Sequence, residues 1–162
     1  MKKLLLPVLL MAFVLQAMAQ KDSTKESKFQ FGIGVGLGVL TQAPEIINLS
    51  GELNGEFKPT KAFSVYGALG YNRLFDAGGE GSLGFASLVA GPRAYLSPKF
   101  FVGVGGGLAY FSMEGESATV FDYDPHIGYN ARHMQLILGY NGLTNNGENL
   151  GFVQLKTVFK FK

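Results

Sequence analysis

From Phe29 to Val39 the chain alternates between large apolar residues and almost nothing. Phe29, Phe31, Ile33, Val35, Leu37 and Val39 fall on one parity, Gln30 and the glycines 32, 34, 36 and 38 on the other. Side chains alternate faces along a strand, so this period of two predicts one greasy face and one bare face. A soluble sheet would place polar groups opposite its core. An empty face suits the inner wall of a narrow closed barrel whose outer wall meets lipid.

The same period recurs along the chain. Strands are expected at about 47–57, 63–73, 83–96, 100–111, 121–129, 133–140 and 150–162, which with the first makes eight. Residues 100–111 repeat the opening pattern, with Val102, Val104, Leu108 and Tyr110 against Gly103, Gly105, Gly107 and Ala109. Pro92 interrupts the fourth segment and predicts a bulge or a break there. Each segment has roughly the 9–11 residues that a tilted membrane strand needs. Short connections near 59, 98 and 131 alternate with expected long loops near 43, 78, 116 and 146, the last two covering 112–120 and 142–149. Tyr71, Tyr110, Tyr123 and Tyr140 toward one end, and Phe57, Phe63, Phe100, Tyr129 and Phe161 toward the other, form two expected aromatic girdles. The fold class is therefore all-β: an eight-stranded antiparallel up-and-down transmembrane β-barrel over 29–162.

Residues 1–19 read as a cleavable signal peptide. Lys2 and Lys3 precede an apolar run of about twelve residues, against the ~20 a membrane helix needs. Ala17-Met18-Ala19 supplies small residues before a cut between Ala19 and Gln20. Residues 20–28 are expected to form a polar, flexible periplasmic leader. Of the 14 Lys and Arg, two lie in the signal, leaving 12 against 12 Asp and Glu. A neutral chain has no general attraction for nucleic acid. The absence of Cys excludes disulfides.

The opening F-G-I-G-V-G-L-G, A-G-P-R-A-Y-L at 90–96, V-G-V-G-G-G-L-A-Y at 102–110 and the ending V-F-K-F at 158–161 resemble the small eight-stranded outer-membrane barrels. These are the outer membrane β-barrel domain proteins of Bacteroidota and the porin-like OmpX/OmpA-type barrels. The resemblance implies a monomer in the outer membrane of a Gram-negative cell, with both termini periplasmic. It implies contact with outer-membrane lipids and lipopolysaccharide, and Phe159 and Phe161 as the signal read by the barrel-assembly machinery.

Parity assigns the charges. If the odd residues of the first strand face lipid, then Glu52, Glu56, Arg93, Lys156 and Lys160 face the lumen. Long side chains of the second and eighth strands can meet across the bare strip of the first, in an ion-pair network that fills the interior. The same charges leave open a small ion- or solute-conducting pore. The expected loops carry Glu45, Asp76, Glu80, Glu114, Glu116 and Glu148, the opposite end Lys58, Lys61, Lys99, Arg132 and Lys162. Acidic loops could bind divalent cations, though the spacing matches no calcium loop.

Chemistry is sparse. Asp122, Asp124 and His126 share one face and could hold a metal or act as acid and base. The lipid A-modifying hydrolases among such barrels pair a His with a Ser two residues on. Here Gly128 stands where that Ser would be. The glycine runs lack G-x-x-x-x-G-K-[ST], so nucleotide binding is excluded. The reading is a non-enzymatic envelope barrel without cofactor or metal, of structural or loop-mediated surface role, with a lipid A hydrolase as a further alternative.

Overall fold

A computed structural model describes residues 28–76, 82–113, 116–145 and 148–161. The signal peptide, its cleavage point at Ala19–Gln20 and most of the leader lie outside them, as do Glu80, Glu114 and Lys162. Eight strands are present: β1 (Phe29–Leu40), β2 (Ile46–Phe57), β3 (Phe63–Asp76), β4 (Ser82–Tyr95), β5 (Phe100–Met113), β6 (Glu116–Asn130), β7 (Met134–Asn145) and β8 (Glu148–Phe161). Each pairs antiparallel with the next, and β8 closes on β1.

The registers fix the shape of the cylinder. Pairing followed from Phe31 runs through Gly55, Gly67, Ala90, Gly106, Tyr123, Gly142 and Gly151. It returns to β1 at Thr41, whose N–H donates to the Gly151 carbonyl at 2.8 Å. The ladder has climbed ten residues along β1 in one circuit, the difference between positions 31 and 41. Eight strands with that stagger tilt by roughly 40°. Each step around the wall therefore rises by a little more than one residue, which lets heights on different strands be compared.

Parity holds all the way round, and burial is inverted relative to a soluble protein. Phe31, Leu37, Leu53 and Leu88 are about 60% exposed, at 63%, 61%, 58% and 60%. Inside, Arg93, Glu56, Asp124, His126 and Lys156 are buried. The exposed band lies between two aromatic levels. One holds Phe29 tilted against Phe57 (4.6 Å) and Phe100 edge-on to Tyr129 (5.2 Å). The other holds Tyr71, Tyr110, Tyr123 and Tyr140, the last two 6.0 Å apart. Phe100 and Tyr110 mark its two edges on β5. Ten residues at ~3.3 Å each, inclined by roughly 40°, give about 25 Å, the height of a membrane barrel's apolar band.

Above the tyrosines the polarity turns over. Outward positions become mostly polar, with Arg73, Ser112, Ser117, Thr119, Thr144 and Asn149, while Ile47 and Phe75 stay apolar on β2 and β3. Inward positions become Leu40, Leu74, Phe85, Ala109, Leu143 and Phe152, which pack into one apolar cluster. Here the wall follows the rule for water, polar outside and greasy inside. This corrects the expected loops at 112–120 and 142–149: β5 runs to Met113, β6 starts at Glu116, β7 runs to Asn145 and β8 starts at Glu148. The expected contrast between short and long connections shrinks accordingly.

Pro92 interrupts without bulging. Pairing of β4 with β5 lapses between Ala90–Gly106 and Arg93–Gly103, with two residues skipped on each strand, so the register is kept. Proline has no N–H to give the ladder. Pro125 does the same to the β6–β7 ladder, between Tyr123–Gly142 and His126–Gly139.

Several outward glycines are covered by outward aromatics one strand away. Tyr71 lies over Gly84, Phe121 over Gly106, Tyr123 over Gly142 and Tyr140 over Gly151. Each ring shields a stretch of backbone that glycine leaves open and packs across the strand pair. Tyr140→Ala is expected to lower stability by about 1 kcal/mol, read as the shift in urea midpoint of the protein folded in vesicles. A Gly151→Ala change made in the Tyr140→Ala background should recover part of the loss.

Candidate functional site

Among the described residues the buried charges collect in the interior, whose geometry follows from β1. Gly34 and Gly36 leave no side chain on the inward face. Into that space come Glu52 from β2 and Lys156 from β8: a methyl group on Gly34 would lie 2.6 Å from Glu52 Cγ, and one on Gly36 2.8 Å from Lys156 Cγ. The glycine strip is therefore a seat for two long ionic side chains from the flanking strands.

Two knots of charge result. In the first, Lys156 Nζ donates to Glu52 Oε2 at 3.4 Å and to Asp124 Oδ2 at 3.3 Å. Tyr66 donates its hydroxyl to the same Asp124 oxygen at 3.3 Å. In the second, nearer the turn end, Arg93 Nη1 reaches Glu56 Oε2 and Gln135 Oε1, each at 3.3 Å. Glu56 also accepts from Gln135 Nε2 at 2.8 Å and from Tyr95 at 2.5 Å. The Arg93 guanidinium lies over the Tyr66 ring at 4.0 Å and the Phe101 ring at 4.8 Å.

His126 joins the knots. Arg93 Nε–H points at His126 Nε2, 3.0 Å away, so that nitrogen must accept. Nδ1 then carries the proton and donates to the Asp124 carbonyl at 3.0 Å. The ring is held as a neutral spacer between a cation and an acid.

Layers above and below complete the filling. Toward the loop end Asn48 bonds Asn72, Asn72 bonds Ser87, Gln154 bonds Ser50 and Asn141 bonds Asp122. The Leu40–Phe85–Phe152 cluster lies over them. At the other end Tyr95, Phe101, Ile137 and Val158 form a second apolar layer. Between Glu52, Ser87, Asp124, Asn141 and Lys156 a cavity of about 20 Å³ remains, room for one water molecule.

Of the residues assigned to the lumen by parity, Glu52 and Lys156 meet directly, and Glu56 and Arg93 form a separate pair. Lys160 stands apart. Its amine donates to Asn130 Oδ1 at 2.7 Å and to the Ala131 carbonyl at 2.5 Å, tying β8 to the β6–β7 turn rather than to a carboxylate. Asp124 belongs to the network although the sequence pointed to it only as a metal or acid–base candidate. Asp122 accepts from Asn141, while Asp124 and His126 lie side by side, with His126 Nδ1 3.6 Å from Asp124 Oδ1, and among the described residues no three acidic, cysteine or histidine side chains converge as metal ligands. Tyr66, Tyr95 and Gln135 were not singled out; their only signal was inward parity combined with a polar tip. Phe159 and Phe161 face outward, beside Ile33 and Phe31 of β1.

No family model matches the chain, and no curated protein matches it in sequence. Solved structures do. The N-terminal β-barrel domain of Pseudomonas aeruginosa OprF aligns with TM-score 0.61 at 15% identity, over 82% of this chain and 97% of that one. A de novo designed transmembrane β-barrel aligns with TM-score 0.58 at 16% identity, over 86% and 100%. Yersinia pestis Ail in a phospholipid bilayer nanodisc aligns with TM-score 0.57 at 16% identity, over 82% and 99%. The fold is that of the small eight-stranded outer-membrane barrels. Within that fold an eight-strand interior is just wide enough for side chains to fill, and this barrel fills it with paired charges between two apolar layers.

Proposed function

We propose that the protein is a closed integral barrel of a Gram-negative outer membrane, serving envelope integrity or presenting its loop end to the surroundings, without enzymatic activity. The observation that carries this reading is the inverted burial. An apolar band of about 25 Å is exposed all round, while Arg93, Glu56, Lys156 and Asp124 are buried inside. Exposed apolar surface on that scale is incompatible with a monomer in water. The likeness to OprF and Ail supports the outer membrane as the place. In this reading both termini are periplasmic, Phe159 and Phe161 are read by the assembly machinery, and lipopolysaccharide surrounds the loop end.

A conducting pore is the second reading, and the charged lumen is what favours it. Apolar layers above and below the charges, and a cavity sized for one water, weigh against it. Two assays separate the readings. The native protein should fractionate with outer membranes and migrate differently on gels before and after boiling. In planar bilayers it should give no unitary steps, and Lys156→Gln should not create any. Discrete conductance in the native protein that changes in Lys156→Gln would move the assignment to a pore. Altered lipid A masses on overexpression would move it to a lipid-modifying hydrolase.

A further inference from the structure

Every charged residue within the eight strands falls on inward parity, among the described residues, except Arg73. Arg73 is exposed on the outer wall of β3, two residues beyond Tyr71. Its strand neighbours are Leu49 on β2 and Gly84 on β4, and Gly84 lies beneath the Tyr71 ring. The guanidinium thus sits just above the tyrosine edge of the apolar band, at the depth of lipid headgroups.

The group is also held. Its Nε and Nη2 both donate to Ser82 Oγ, at 3.3 and 2.9 Å, and its Cζ lies 5.3 Å from the Phe75 ring centre. Both contacts are to uncharged groups, so they orient the guanidinium without neutralising it. Among the described residues, Nη1 and the second hydrogen of Nη2 are left for a planar, bidentate acceptor, the pattern that suits phosphate.

We propose that Arg73 and Ser82 form a binding site for the phosphate of a membrane lipid in the leaflet at the loop end. The acyl chains of that lipid run down over Tyr71, Leu49, Leu69 and Leu88, all exposed. Charge decides the source of the phosphate. The strand ends and connections at this end carry Glu45, Asp76, Glu80, Glu114, Glu116 and Glu148 in the sequence and no other base. Such a field repels anions arriving from solution, whereas a lipid reaches Arg73 sideways, below the loops. The site gives the barrel a fixed lipid on its β2–β4 face, and it rests on the proposed membrane location.

The test is native mass spectrometry of the full mature protein, folded in detergent and checked for heat-modifiability. The probe is diphosphoryl lipid A, compared with the same lipid stripped of phosphate and with millimolar inorganic phosphate as competitor. The native protein should retain the phosphorylated lipid about tenfold more tightly than the stripped one, and inorganic phosphate should not displace it. Arg73→Gln should remove that preference while staying heat-modifiable, and Arg73→Lys should keep part of it. Equal retention by the native protein and Arg73→Gln would overturn the site. Displacement by inorganic phosphate would overturn the lipid as its ligand. Failure of the native protein to fold as a heat-modifiable barrel would overturn the membrane reading instead.

Discussion

Arg93→Met is expected to destabilise the folded barrel by about 3–5 kcal/mol, the largest effect of any single side chain here. The guanidinium makes hydrogen bonds to Glu56, Gln135 and His126 and fills the space between two aromatic rings. Methionine can fill part of that volume but supplies no donor. Glu56 would be left 4% exposed, with its charge uncompensated. Burying an unpaired carboxylate costs far more than losing a surface ion pair, whose worth is about 0–1 kcal/mol. Arg93→Met combined with Glu56→Leu removes both charges together and should recover most of the loss. Urea titration of the protein in vesicles, followed by gel mobility, measures each step. A single-variant loss below about 1 kcal/mol would mean that water already reaches this pair.

A second large effect is expected on the outside. Val35 lies mid-strand on β1, 53% exposed and level with the centre of the apolar band. In a protein surrounded by water, Val35→Arg would change almost nothing. In hydrocarbon near the bilayer centre it should cost about 2–4 kcal/mol, and Thr119→Arg above the tyrosines about 0–1. The contrast between the two variants carries the information, since both place arginine on an exposed strand position. Equal small effects at both sites would indicate an aqueous exterior.

These expectations depend on a pattern that was largely visible in the sequence. The glycine-alternating strand β1, the opposite faces of β2 and β8 and the inward turn of Arg93 all follow from a period of two, because a closed sheet offers each residue only two destinations. Partner choice was not visible. Across a barrel eight strands wide a long side chain can reach several walls, so Lys156 finds Asp124 of β6 as well as Glu52, while Lys160, two residues on, bonds the backbone of a turn. The extended loop end was missed for a different reason. Ser117, Thr119 and Thr144 look like loop when apolar-outward alternation is the template, yet they alternate with Ala118, Val120 and Leu143 in the opposite sense. The strands do not stop where the apolar band stops; only their surroundings change.

One measurement addresses the exterior directly. The chain contains no tryptophan, so Leu53→Trp places a single fluorescent reporter on the outward face of β2, and Ser117→Trp places one above the band. In vesicles of brominated lipid, Leu53→Trp should be strongly quenched and shielded from aqueous acrylamide, and Ser117→Trp the reverse. Acrylamide quenching at Leu53→Trp without any response to brominated lipid would contradict a wall that faces hydrocarbon.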